Sequence, residues 1–373
     1  MKTYQLHRII TAVWLLSSIS AMGQIMPLTI EPYGGNKKAR VAEQIGIVQI
    51  EVSYNRPGVK GREGKIWNTP VAHYGFVDLG HGTSYGAPWR AGANENTTVS
   101  FSHPVKIEGK DLPAGKYGFS ISLGETESTL IFSKVNNSWG SFYYDQSEDA
   151  LRVTVKNQSL DNSVEWLKYE FINQGDSTAT IAMSWEKRMI PFNISVERKK
   201  LQIEAFKSDF RTTRNYDDFT EAAYWCIRNN YALEQALAWV DRGIYFRVMG
   251  EKNFRSLFAK ANVLTQMNRR EEAKKVMLEA LPMGSATDVH AYGRELLAQH
   301  DSQEALKVFK ANYEKYPDSY FTHVGMGRAY SGLGEFKKAI PYMKSGLAKA
   351  PDATAKANIE AMIKKLEAGQ DIN

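Results

Sequence analysis

The chain holds one cysteine, Cys226, in 373 residues. A lone thiol excludes an intramolecular disulfide and the thiolate zinc clusters that need several cysteines. Proline is sparse as well, 12 against 28 glycines, and with 43% hydrophobic residues the composition is neither collagen-like nor that of a disordered chain. No stretch approaches 18 uninterrupted apolar residues, so no transmembrane span is expected in the mature chain. An excess of one charge is also missing: residues 24–198 carry 18 basic and 19 acidic side chains, and residues 199–373 carry 27 and 22. Neither half is the basic surface that nucleic acid requires. The motifs H-E-x-x-H, G-x-S-x-G, the P-loop and C-x-x-C are all absent. Gly80 to Gly86 and Gly325-Met326-Gly327 look like nucleotide loops only on the surface, since the first follows no strand and the second belongs to a repeat helix. His73, Asp78 and His81 lie close together, but no helical or strand spacing puts the two imidazoles on one face. No cofactor and no metal are implied.

What is present begins with Lys2 and Arg8, an apolar run from Ile9 to Leu16, and Ala21-Met22-Gly23 before Gln24. This is the pattern of a secretory signal peptide over 1–23, so the mature chain is expected to be exported, to the periplasm or beyond the cell. Cys226 sits in the helical run Ala222 to Ile227 and reads as a buried structural thiol.

From Ile45 to Val196 the apolar residues recur with period two, as in Val48/Ile50/Val52/Tyr54, Tyr117/Phe119/Ile121/Leu123, Ile181/Met183/Trp185 and Phe192/Ile194/Val196. About eight short strands bounded by turn residues such as Glu108-Gly109 point to an antiparallel sandwich or barrel, of which an antiparallel β-sandwich is the expectation. Gly61 to Pro88 lacks the alternation, and a loop of that length in a compact domain is often functional.

After Glu197 the period becomes helical. An offset of 34 aligns Gly293 with Gly327, Ala305 with Ala339 and Pro317 with Pro351, which is the tetratricopeptide period. Ala273 and Ala236 mark two further hairpins, although their separations of 32 and 37 residues break the register. Four hairpins are predicted, forming an α-helical tetratricopeptide-type solenoid. The expected organisation is a signal peptide at 1–23, a short segment at 24–39, an all-β domain at 40–197, a linker or first helix at 198–216, repeats at 217–367 and a tail at 368–373.

Arg56, Lys60 and Arg62 leave a strand through a Pro-Gly turn, and Trp89, Arg90, Asn94 and Glu95 follow the long loop. If the two segments meet, they form a ligand-binding cleft with arginine forks for an anion and a tryptophan face for a sugar. The alternative is a strut in which Arg90 pairs with Glu95 and Trp89 enters the core. Trp139 to Asp145 is a second aromatic cluster, and its alternation favours the sandwich interior over an exposed sugar platform.

The residues Val52 to Pro57, Lys60-Gly61-Arg62, Trp89 to Thr98, Leu112 to Gly118, Ile131 to Lys134, Trp139 to Phe142 and Ala150 to Val155 occur in an order that resembles the bacterial domain-of-unknown-function family 2911. The resemblance spans about residues 40–197 and departs from the family pattern in the extra Phe76 to Pro88. It implies an exported Gram-negative protein, sometimes with helical repeats appended, and no activity. The reading is therefore a non-enzymatic scaffold of the cell envelope whose repeats take a protein or peptide partner, with a small polar, glycan or anionic ligand on the β domain. The alternative is a glycan-active hydrolase using Glu95, for which Asp78 and Asp145 are the only second carboxylates on offer, neither at a suitable spacing.

Overall fold

The structure, a computed structural model, describes residues 35–213, 215–248 and 250–373. The expected signal peptide at 1–23 lies outside the described residues. Two compact units are present, one centred on Gln49–Ser195 and the other on Val196–Asn373.

The first unit contains β1 (Lys37–Ile45), β2 (Val48–Arg56), β3 (Thr97–Phe101), β4 (Val105–Ile107), β5 (Lys110–Leu112), β6 (Gly115–Ser122), β7 (Glu127–Ser133), β8 (Asp149–Lys156), β9 (Gln158–Ile172) and β10 (Thr178–Ser195). One sheet runs β1-β2-β3-β6-β7-β8 and the other β5-β4-β10-β9. Alternation sets the faces: Val48, Ile50, Val52 and Tyr54 of β2 are buried while Gln49 is exposed. Between the sheets, Phe119 of β6 and Phe132 of β7 meet Phe192 of β10, with ring centroids 5.7 and 6.0 Å apart. The β4–β5 hairpin turns through Glu108 and Gly109 at φ of 47° and 80°, the paired left-handed geometry of a type I′ turn. The Glu108 carboxylate accepts a hydrogen bond from Asn193 N at 2.5 Å, which ties that turn to β10.

The alternating runs 181–185 and 192–196 belong to a single strand, β10. Its register against β9 shifts on both sides of Glu186, which stands at φ 51°. Between Ser184 and Met189 the β9 partner runs from Lys168 to Gln158, so the extra residues of the ladder lie on β9, and across the same stretch the inward side chains of β10 move from odd positions (Ile181, Met183, Trp185) to even ones (Ile190, Phe192, Ile194). The Trp139 to Asp145 segment corrects the expectation of a strand facing the core. It is a series of turns in which Trp139 and Tyr143 are 57% and 58% exposed. Gly140 at φ 65° breaks the extended period, and the Phe142 carbonyl accepts hydrogen bonds from the Thr83 and Ser84 amides of the long loop.

The second unit contains α1 (Arg198–Asp209), α2 (Tyr216–Asn229), α3 (Leu233–Tyr245), α4 (Phe254–Gln266), α5 (Arg270–Ala280), α6 (Ala286–Ala298), α7 (Ser302–Lys315), α8 (Tyr320–Gly332), α9 (Phe336–Ala348) and α10 (Ala353–Glu367). The four expected hairpins are α2–α3, α4–α5, α6–α7 and α8–α9. In the last three, the alanines Ala273, Ala305 and Ala339 each lie 19 residues after the start of the first helix. The uneven 37 and 32 spacings arise between hairpins, from the long α3–α4 connection and the short α5. Asn253 and Ser285 cap α4 and α6 through reciprocal hydrogen bonds with Ser256 and Asp288.

Each hairpin closes by setting a small residue against a large one sixteen positions later. A Cβ on Gly293 would lie 2.6 Å from Phe309 Cε1, and one on Gly327 would lie 2.7 Å from Met343 Cγ. Ala261 with Met277 and Ala223 with Trp239 repeat the spacing, all four of them buried. Cys226 is buried in α2, and burial pushes its thiol up to about 11, so it is a packing residue.

Candidate functional site

The β unit has a cleft of about 280 Å³ lined by Arg62, Trp89, Arg90 and Asn94, together with Asn36, His73, Ser141 and Trp185. Four of the seven residues singled out from the sequence thus share one site. Arg56, Lys60 and Glu95 are not among its lining. Arg56 donates from Nε to the Leu167 carbonyl at 2.8 Å and braces β9. The Lys60 amide bonds the Glu165 carboxylate at 3.0 Å, with its ammonium over the Trp166 ring. Glu95 accepts from Asn55 Nδ2 at 2.6 Å and pairs with Lys38 at 3.6 Å. Asp78 accepts from the Gly80 amide, and Asp145 from the Ser147 amide, so each carboxylate serves its own turn.

Within the cleft, the backbone does much of the positioning. Ala91 and Asn94 stand at φ 53° and 58°, a region that residues other than glycine seldom adopt. The Ala91 carbonyl is fixed there by hydrogen bonds from the Thr97 and Tyr169 hydroxyls at 3.0 and 2.8 Å. Arg90 donates to the Asn94 carbonyl at 3.0 Å and lies 4.8 Å over the Phe142 ring. It is a strut, as the rival sequence reading has it, but its acceptor is a backbone oxygen and not Glu95. Any side chain at Gly140 would strike that guanidinium, since a Cβ there would stand 2.8 Å from Arg90 Nε. Trp89 stacks on Trp185 at 6.2 Å and meets Trp67 edge-on at 6.0 Å, so its face is spent on the core. His73 lies on the same cleft, and burial together with the Arg90 charge pushes its imidazole below the ordinary value. Among the described residues, no group of three or more His, Cys, Asp or Glu could hold a metal ion.

The β unit is similar to one described family. The family model described as "Protein of unknown function (DUF2911)" matches residues 36–194. That match spans the strands of the β unit and somewhat under half of the chain. A tetratricopeptide repeat model matches residues 254–281, the α4–α5 hairpin. No curated protein matches the chain. Among solved structures, the chain is similar to MamA from Desulfovibrio magneticus RS-1, at 20% identity and TM-score 0.28, covering 42% of this chain and 97% of that one. It is also similar to YrrB, described as a TPR protein with an unusual peptide-binding site, at 19% identity and TM-score 0.29, covering 44% of this chain and 86% of that one.

The DUF2911 domain has a second depression, of about 610 Å³, that sequence reasoning missed. Its wall includes Glu186, buried at the β9–β10 register shift, which accepts from Trp67 Nε1 at 3.1 Å. Arg188 stacks over Trp67 at 4.6 Å and donates to the Tyr74 hydroxyl at 2.7 Å. The change of hydrophobic phase across Glu186 was the available signal.

In the tetratricopeptide unit, α2 packs on α4 and α6 on α8, and Phe258 of α4 meets Tyr292 of α6 edge-on at 6.2 Å, so first helices stand side by side. The residue after each small packing residue then forms a row across them: Tyr224, Asn262, Arg294 and Arg328. None of the four is buried. Beside the row, His290 is pushed down to about 4 by burial and by the charges of Arg328 and Arg294. Glu295 is pushed up to about 7 by burial, against a hydrogen bond with Asn262.

That last shift has a sign. Between pH of about 4.5 and 7 the folded chain holds a proton at Glu295 that the unfolded chain has released, so stability falls as pH rises through this window. Glu295→Gln is expected to leave the melting temperature nearly unchanged at pH 4 and raise it at pH 8. With allowance for solvent screening of a part-exposed carboxyl, the gain is about 1–2 kcal/mol. Thermal melts at the two pH values check it, and an equal effect at both would show that the carboxyl is not the source.

Proposed function

We propose that this chain is an exported scaffold of the bacterial cell envelope. Its repeats hold a protein or peptide segment, and the DUF2911 cleft holds a small polar, glycan or anionic ligand. Tetratricopeptide repeats are protein-interaction scaffolds, and this part of the reading rests on the row Tyr224, Asn262, Arg294 and Arg328 across four stacked hairpins. An extended peptide laid over such a row meets donors and an aromatic ring at regular intervals. The cleft supports the ligand reading through Arg62, Arg90, His73 and Asn94 around one concavity. The signal-peptide pattern at 1–23 is the basis for export. Glu95, standing outside the cleft lining, gives a hydrolase reading no support.

The test is selection of peptides from a displayed library on the full chain. Enriched sequences are expected to bind the wild type and to lose at least tenfold in affinity on Arg294→Glu. If no sequence is enriched, or if enriched peptides bind the variant equally well, the repeats do not act as a peptide scaffold through this face.

A further inference from the structure

The residues that follow α10 return to α8 and meet the row at Arg328. Gly369, at φ 73°, reverses the chain after α10, with its amide bonded to the Leu366 carbonyl at 3.0 Å and the Gln370 amide to the Lys365 carbonyl at 2.9 Å. The next three residues run back onto α8. Asp371 Oδ1 accepts from the Ser331 hydroxyl at 2.6 Å, and the Ser331 oxygen in turn accepts from the Ile372 amide at 3.1 Å. Arg328 donates to the Ile372 carbonyl at 3.2 Å, and Asn373 Nδ2 donates to the Arg328 carbonyl at 3.0 Å. The Ile372 side chain is buried in a core cluster with Val324, Met343, Ile359, Ile363 and Leu366. Burial works against the Asp371 charge, but hydrogen bonds from Ser331, Asn373 and Ile372 outweigh it and hold its carboxyl below the ordinary range.

These contacts have the form of ligand recognition. An acidic side chain is met by a hydroxyl, an aliphatic one by an apolar socket, and the backbone by the arginine of the row. Burial, and then the neighbouring Arg294 charge, push the Arg328 guanidinium below its ordinary value.

We propose that residues 370–373 are a built-in occupant of the α8 end of the partner face, and that the partner there is a peptide segment presenting an acidic residue directly before a branched aliphatic one. The proposal rests on the repeats being a peptide scaffold and specifies their ligand. A segment joined to its own site competes at a high effective concentration, so an external peptide must displace it.

The probe is a fluorescein-labelled peptide of residues 368–373, read by anisotropy against three proteins: the full chain, the chain stopped after Gly369, and full-length Asp371→Ala. The peptide is expected to bind the shortened chain and Asp371→Ala at least tenfold more tightly than the full chain, and Ile372→Ala in the peptide should abolish binding. The Asp371→Ala protein keeps Ile372, so it answers the question even if the shortened chain does not fold. Equal binding to the full chain and Asp371→Ala, or no binding to either released form, overturns the proposal. If library peptides bind in an Arg294-dependent way and the 368–373 peptide fails to compete with them on Asp371→Ala, this inference fails alone. If no library peptide binds, the scaffold reading fails with it.

Discussion

Gly293→Val is expected to unfold the helical unit under conditions where the wild type is stable. The Cβ alone would lie 2.6 and 2.8 Å from two carbons of the Phe309 ring, and a Cβ on Gly325 of α8 would also lie 2.8 Å from that ring, so α8 leaves it little room to move. Replacing glycine inside a helix gains up to about 1 kcal/mol in propensity, while overpacking costs about 1–3 kcal/mol for added methylenes that neighbours can absorb. Phe309 is fully buried and rigid, and valine adds two methyls beyond the Cβ, so the packing loss exceeds the propensity gain by roughly 3 kcal/mol or more. Urea titration followed by helical circular dichroism measures the loss. Phe309→Ala in the same chain should recover part of it, because the two sites share one contact. Gly327→Ala provides the contrast: its neighbour is the flexible thioether of Met343, which can swing aside, so the change should be close to neutral. Equal losses at the two glycines would mean that the large partner's stiffness does not decide the outcome.

Trp185→Ala should be the most damaging single truncation in the DUF2911 domain. The side chain is fully buried, parallel to Trp89 at 6.2 Å and edge-on to Trp67 at 5.8 Å. Emptying such a site costs about 3–5 kcal/mol, which for a domain of this size lowers the melting temperature by roughly 10 °C. Trp89, the cleft residue stacked on this side chain, would lose its support. Trp185→Phe is expected to cost much less. The indole N–H of Trp185 has no hydrogen-bond partner, and removing an unpaired buried donor offsets about 1–3 kcal/mol of the lost packing. Calorimetry separates the two variants, and a Phe substitution as harmful as Ala would show that the indole N–H is not an unpaired burden.

The hairpins could be read from the sequence because their core rule is local. A small residue, sixteen positions, then a large one is a spacing inside one hairpin, and it survives when the connection to the next hairpin changes length. The 34-residue period is not local in this sense, and it fails where α3–α4 lengthens. In the DUF2911 domain, β2 and β6 were legible because their faces alternate without interruption. β10 read as two strands because its alternation inverts midway, where the register against β9 shifts around Glu186, and β1 went unread because its outward residues are polar and its inward ones only half-buried. The Trp139 cluster was misplaced for the opposite reason: aromatic residues at alternate positions imitate a strand, whereas Gly140 at φ 65° holds them in turns. The cleft was half legible. Trp89, Arg90 and Asn94 come from one segment and remain together, but Arg56 and Lys60 are drawn off by Leu167 and Glu165, acceptors more than a hundred residues away. Nothing in the spacing of charges could show which acceptors would claim the Arg56 guanidinium and the Lys60 amide.

β1 closes one edge of the six-stranded sheet, and its exposed or half-exposed positions include Lys37, Lys38 and Arg40. A free strand edge offers unpaired amides and carbonyls to any neighbouring chain, and an identical strand is the best match for them. Three cations along nine residues make that match self-repelling. Arg40 pairs with Glu51 at 3.2 Å and Lys38 with Glu95 at 3.6 Å within the same domain, so the charges are held in place without being buried. The edge that builds the sheet therefore also guards concentrated protein against polymerising strand to strand.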